Sequence, residues 1–131
     1  VIFFYPKDMT EDCTIEACAF DGLSATLAKA GAAVVGVSHR PRKDKVKFAA
    51  KAGVSIPLLA DERLGKDGTP DPAMAPAYGV WVEKSMYGKK YHGIARTTFL
   101  IGPDGIIRRR WDKVDVPGHA EEVCDALRAM R

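Results

Sequence analysis

Two cysteines lie five positions apart just beyond a short apolar run: Val-Ile-Phe-Phe-Tyr-Pro-Lys-Asp-Met-Thr-Glu-Asp-Cys13-Thr-Ile-Glu-Ala-Cys18. A thiol reacts as its thiolate, and a helix N-terminus or a neighbouring arginine favours that form. Cys13 falls where a loop gives way to a helix. The unpaired N–H groups of the first turn then point towards its sulfur, and the helix dipole favours negative charge there. Thr10, three residues earlier, is placed to cap that turn or to hydrogen-bond a small oxygen-bearing ligand. Pro6 sets the entry to the loop and withholds a backbone donor. A lone cysteine would serve as readily as a small buried hydrophobe. The loop-to-helix position and Thr10 favour a reactive thiol instead.

The elements that must position these groups are legible along the chain. Val1–Tyr5 is a continuous apolar run rich in β-formers, which predicts a buried strand. Pro6–Asp12 reads as a loop, and Cys13–Ala30 as a helix that stops at Gly31. A second buried strand is expected over 32–38, a helix over 43–52 ended by Gly53, and a short extended segment over 56–60. Asp61–Pro76, with its glycines and prolines, reads as a loop with a helical turn around 73–78. One strand is expected over 94–101, then a Pro103-Asp104-Gly105 turn, a returning strand over 106–111 and a last helix from Pro117 or Gly118 to about Met130. Strands one and two, joined through a helix, should run parallel, and the later hairpin adds antiparallel strands. The fold class is therefore α/β: a thioredoxin-like fold with a mixed central sheet and helices on both faces, in a single domain over residues 1–131.

On a helical wheel at about 100° per residue, Phe20, Leu23 and Leu27 define the core face of the first helix, with Cys13 at its edge. Cys18 falls about 140° away, beside Gly22, Ala25 and Lys29. Filling the core does not explain it, and an outward thiol invites oxidation.

Bulk properties remove several function classes. The chain has 131 residues, 47% of them apolar and 28% charged, which suits one packed domain. A net charge of +3, from 20 basic and 17 acidic residues, is too mild to suggest nucleic acid. No run approaches the roughly 18 apolar residues of a membrane helix. Three cysteines are too few for a secreted disulfide scaffold, so free thiols in a reducing compartment, the cytoplasm, are expected. The chain opens on a strand without an initiator Met. Residues are therefore expected upstream of Val1, and a targeting sequence there stays open.

The pattern Pro6-x-x-x-Thr10-x-x-Cys13 after Phe-Phe-Tyr resembles the peroxiredoxin active-site motif. The continuation Thr14-Ile15-Glu16-Ala17-Cys18 is similar to that of the bacterioferritin comigratory protein (PrxQ) subfamily. Gly36-Val37-Ser38, Pro57–Asp61, Ala77–Trp81, Met86–Lys89 and Gly93–Ile101 agree with it, so the resemblance spans nearly the whole chain. It implies an atypical two-cysteine peroxidase without a cofactor or metal. Cys13 would attack hydrogen peroxide or an alkyl hydroperoxide and become a sulfenic acid. Cys18 would resolve that acid as an intramolecular disulfide, and thioredoxin or a similar dithiol would recycle the enzyme. Arg96 matches the family's active-site arginine, whose planar fork would hold the thiolate and the peroxide oxygens. The alternative for Arg96 is a surface strand residue in a salt bridge; strand alternation beside Thr98 and Leu100 argues for partial burial. A self-contained cysteine pair makes a monomer sufficient.

The implied disulfide carries a mechanical cost. Five helical residues rise about 7.5 Å, whereas a disulfide needs Cα atoms within about 7 Å and converging Cβ vectors. The helix start must therefore unwind to form it. Two departures from the family stand out. Its N-terminal hairpin and strand are absent here, and the Asp61–Pro76 loop is longer, which reads as a surface insertion.

Other candidates carry less. Cys124 reads as core filler in the last helix, with a second resolving thiol as the minor alternative. His39, His92 and His119 lack ligand spacing. The basic cluster Arg40, Arg42, Lys43, Lys45 and Lys47 reads as a solvated face. Arg108-Arg109-Arg110 reads as charge guarding an edge strand. Trp81 and Trp111 fit either core or binding roles. Two rival functions remain. A thioredoxin-type thiol–disulfide oxidoreductase would favour C-x-x-C over the C-x4-C found here, and a Cu(I) carrier would need further soft ligands.

Overall fold

The computed structural model describes residues 1–130. Its main sheet has five strands: β1 (Ile2–Phe4), β2 (Val35–Ser38), β3 (Leu58–Ala60), β6 (Thr97–Ile101) and β7 (Ile107–Trp111). They lie in the order β3-β2-β1-β6-β7. β1, β2 and β3 are mutually parallel, whereas β6 runs antiparallel to β1, and β7 to β6. Four helices accompany them: α1 (Glu11–Lys29), α2 (Arg42–Ala52), α3 (Met74–Ala77) and α4 (His119–Ala129). The expected mixed α/β architecture is what the chain forms. Among the described residues, no helix is long and apolar enough to cross a membrane.

Strand alternation divides the core in two. Phe3 and Tyr5 face Phe20 and Leu27 of α1, Phe48 of α2, and Val123 and Cys124 of α4. Phe4, with Val37 and Phe99, faces the opposite layer, built from Ala75 of α3 and from Val80 and Ile94. The rings of Phe3 and Phe20 stack at 4.6 Å. This contact fixes α1 across β1, and with it the height of Cys13 above the sheet. Room for the Phe3 ring depends on Gly36, where a Cβ would come within 2.7 Å of Phe3 Cζ and 3.0 Å of Leu58 Cδ2. α1 ends through Gly31, at φ 87°, with Ala32 N–H bonded back to the Leu27 carbonyl at 2.9 Å.

One expected strand divides, and a hairpin forms where the sequence pattern predicts none. Residues 94–101 are not a single strand. A separate two-stranded sheet, β4 (Trp81–Met86) paired with β5 (Lys89–Ile94), ends at Ile94, and β6 begins at Thr97. Ala95 N–H turns away to the Val80 carbonyl at 2.8 Å. The chain changes sheets there, and Arg96 sits at that corner rather than on a strand. The hairpin turn is Tyr87-Gly88, both at positive φ.

Other expectations resolve in detail. β7 is an edge strand, and Arg108, Arg109 and Arg110 on it are exposed. Trp111 and Cys124 are core residues. Trp81 packs between the rings of His39 and His92. The Asp61–Pro76 loop is tied at its base: the Asp61 carboxylate accepts from the N–H groups of Ala73 and Ala75 at 2.9 and 2.8 Å, at the start of α3. Lys45 corrects the reading of the basic cluster, because it is buried.

Candidate active site

α1 begins at Glu11, two residues before the expected start, so Cys13 lies inside its first turn. Thr10 is the N-cap in extended conformation, yet its side chain makes no bond to the helix. Its hydroxyl donates backwards to the Lys7 carbonyl at 2.9 Å, and its own carbonyl accepts from Thr14 N–H at 2.9 Å. Of the two roles open to Thr10, capping is not used. The hydroxyl closes the Lys7–Thr10 turn and keeps its oxygen lone pairs free. Pro6 follows the last bond of the β1–β2 pair, Tyr5 N–H to the Val37 carbonyl at 3.0 Å. Its missing N–H ends the pairing and releases the chain into the loop.

Cys13 is 1% exposed. The guanidinium of Arg96 reaches it from the corner between the two sheets: Nη2 donates to Cys13 Sγ at 3.2 Å, and Nη1 donates to Glu16 Oε1 at 2.7 Å. The bonds leave from different nitrogens of one planar group, a geometry that lysine cannot supply. Burial opposes the Arg96 charge, but Glu16 and then Cys13 outweigh it and raise its pKa above the ordinary value.

Glu16 was not singled out from the sequence. It lies three positions after Cys13 on the same helical face, and a carboxylate one turn from a candidate thiol was the available signal. It is buried, and its Oε2 has no hydrogen-bond partner. Burial pushes its carboxyl up to about 7; Arg96 opposes the rise and Asp12 adds to it. Lys84 is a second cation near the site. Its stem runs over Gly93, where a Cβ would stand 3.3 Å from Lys84 Cδ, and its ammonium donates to the Ile94 carbonyl at 2.5 Å. Burial and then Arg96 lower its pKa, and the Cys13 charge opposes them.

Cys18 is exposed on the far side of α1, as the wheel required. Its thiol donates to the Ala52 carbonyl, at the end of α2, at 3.7 Å. α1 is continuous through both cysteines, and all three cysteines are free. The structure thus brings Cys13, Arg96 and Glu16 together, places Thr10 and Pro6 in the loop before α1, and holds Cys18 apart. Among the described residues no three His, Cys, Asp or Glu side chains gather as a metal cluster.

A thioredoxin-like sheet with an arginine-paired cysteine in the first turn of a helix defines a thiol-redox protein. The AhpC/TSA family matches residues 1–110. The chain belongs to that family, among the peroxiredoxins of the Bcp type. It is 44% identical over 129 residues to peroxiredoxin Bcp of Xanthomonas campestris, covering 98% of this chain and 76% of that relative. It is 38% identical over 130 residues to peroxiredoxin Bcp of Bacillus subtilis, covering 99% and 78%. A solved structure of the Xanthomonas campestris bacterioferritin comigratory protein, described for its alkyl peroxide reduction activity, superposes with a TM-score of 0.88 at 42% identity, covering 99% of this chain and 77% of the other. As a peroxiredoxin, the chain is a thiol-dependent peroxidase.

Proposed function

We propose that Cys13 is the peroxidatic thiol, that Cys18 resolves it, and that thioredoxin or a similar dithiol recycles the enzyme. The observation that carries this reading is the 3.2 Å contact between Arg96 Nη2 and Cys13 Sγ. The cation favours the thiolate, and guanidinium N–H groups not engaged by Cys13 and Glu16 would serve as charge-assisted donors to a peroxide oxygen as it gains charge. The thiolate attacks the distal oxygen of ROOH. The S–O bond forms as the O–O bond breaks, Cys13 is oxidised to a sulfenic acid, and RO⁻ takes a proton from solvent and leaves as ROH. The Cys18 thiol then displaces hydroxide from the sulfenic sulfur. This forms the Cys13–Cys18 disulfide and releases water. The dithiol returns two electrons and two protons, and is itself oxidised to a disulfide.

Hydrogen peroxide and alkyl hydroperoxides are the substrates in this reading, and the relative described for alkyl peroxide reduction supports the second class. One domain acting as a monomer suffices, since both thiols lie on one helix. A cycle that depends on free thiols suits the reducing cytoplasm.

Stopped-flow mixing of reduced protein with peroxide, followed by mass mapping of the disulfide, tests the proposal. Wild type should consume peroxide far faster than free cysteine and yield a Cys13–Cys18 link. Cys13→Ser should be inert, and Cys18→Ser should react once and turn over poorly with thioredoxin. A wild-type rate no faster than that of free cysteine would overturn the assignment.

A further inference from the structure

The loop before Cys13 is held by a buried polar network centred on Asp8, at an unspecified position of the motif, and on Lys45 of α2. Asp8 is 5% exposed and Lys45 3%. Lys45 Nζ donates to Asp8 Oδ2 at 3.1 Å, to Ser38 Oγ, and to the Arg40 carbonyl at 3.2 Å. Tyr5 donates its hydroxyl to Asp8 Oδ1 at 2.6 Å. The end of β1, the loop before α1, the end of β2 and the first turns of α2 therefore meet at one carboxylate–ammonium pair. Such a pair stabilises poorly compared with an apolar core, but it specifies one arrangement, because any displacement leaves charges buried without partners.

The segment from Met9 onwards is built differently. Met9 stands in the left-handed region at φ 63°, a conformation that side chains other than glycine adopt at a cost. Thr10 and the first turn of α1 come next. Met9 and Thr14, with Phe48, Lys51 and Ala52 of α2, line a cavity of about 190 Å³. At its far end α2 carries the Ala52 carbonyl that receives the Cys18 thiol. Seven residues of α2, about 10 Å, separate Lys45 from Ala52. One rigid helix thus holds the upstream end of the catalytic loop and the resolving thiol, with open space between them.

Building on the proposed pairing of Cys13 with Cys18, we infer that Asp8 and Lys45 are positioning residues of the peroxidase reaction. They pin the chain upstream of the active-site helix, so that Met9 to Glu16 unwind over the α2 cavity towards Cys18 while Pro6 to Asp8 stay in place. Before oxidation the same pin sets where Thr10 and Cys13 meet the peroxide.

Rapid-quench kinetics separate the two steps. In Lys45→Met, oxidation of Cys13 should slow about tenfold while disulfide formation is not slowed, and Lys45→Arg should recover most of the loss. The double variant Asp8→Asn/Lys45→Met, which leaves no lone buried charge, should show the same split if the single variant folds poorly. Equal slowing of both steps, or none, would overturn the inference. A second readout does not depend on peroxide. In protein oxidised with diamide, cleavage after Glu11 by a Glu-specific protease should accelerate, whereas trypsin cleavage after Lys7 should stay slow in wild type and quicken at least tenfold in Lys45→Met. Failure of diamide to link Cys13 to Cys18 would overturn the pairing and the swing with it. A linked wild type cut after Lys7 as readily as after Glu11 would overturn the pin alone.

Discussion

Arg96 and Cys13 are 83 positions apart in the chain, yet Arg96 Nη2 meets Cys13 Sγ at 3.2 Å while Nη1 of the same guanidinium holds Glu16. One planar group therefore couples the sulfur to a carboxyl on the next turn of the same helix.

Replacing that group by a point charge should separate charge from geometry. Arg96→Lys keeps the cation but loses the fork. A charge-assisted hydrogen bond contributes about 1.5–3 kcal/mol, and each 1.4 kcal/mol of barrier is tenfold in rate, so Cys13 oxidation should slow by roughly 10- to 100-fold. Stopped-flow oxidation of the reduced protein reads this directly. An unchanged rate in the lysine variant would show that the fork is irrelevant.

Glu16 should make folding stability depend on pH. Burial raises its carboxyl from an ordinary 4.5 to about 7 in the folded chain. Between those values the folded state binds more protons than the unfolded one, so this group's contribution falls as pH rises. The loss is on the order of 3 kcal/mol at full ionisation. Glu16→Gln should flatten that slope. Urea titrations of both proteins at pH 5 and pH 7.5 measure it, and parallel changes in the two would exclude Glu16 as the source.

Thr10 should matter to the reaction more than to the helix, since its hydroxyl bonds Lys7 and not the first turn. Thr10→Ser should stay within about twofold of wild type, whereas Thr10→Val should lose about tenfold or more in peroxide reactivity, the span of one hydrogen bond worth about 1.4 kcal/mol. Its melting temperature should change little. Equal reactivity of the valine and serine variants would remove Thr10 from the site.

Gly36 should prove a packing residue. A methyl group there meets Phe3 Cζ at 2.7 Å, and Phe3 is the ring that stacks on Phe20 of α1. Gly36→Ala should cost about 1–3 kcal/mol through overpacking. A denaturation midpoint equal to that of wild type would mean that the ring moves aside freely.

Much of this architecture could be read from the chain because its signals are local. The apolar run of β1, the stop at Gly31 and the 3.6-residue period that separates Cys13 from Cys18 all depend on near neighbours. The β4–β5 hairpin escaped because its strands are mostly exposed and carry Lys, Glu and His instead of an apolar run. Missing it placed Arg96 on a strand. Its true position results from a backbone bond between Ala95 and Val80 that ends one sheet and begins another. Lys45 departs from the solvated face expected of it for a related reason. Its neighbours Lys43 and Lys47 are solvated, and nothing nearby in sequence announces that Asp8, 37 positions away, waits behind it.

Residue type and helical period alone set out one thiol at a helix start, a second thiol turned away from it on the same helix, and a threonine and proline in the loop between strand and helix. Both act over a few residues. What surrounds the sulfur follows from the folded arrangement instead. The Arg96 fork, the buried Glu16 and the Asp8–Lys45 pin come together through sheet topology and side-chain burial, and the energies of charges out of water depend on those long-range contacts rather than on spacing along the chain.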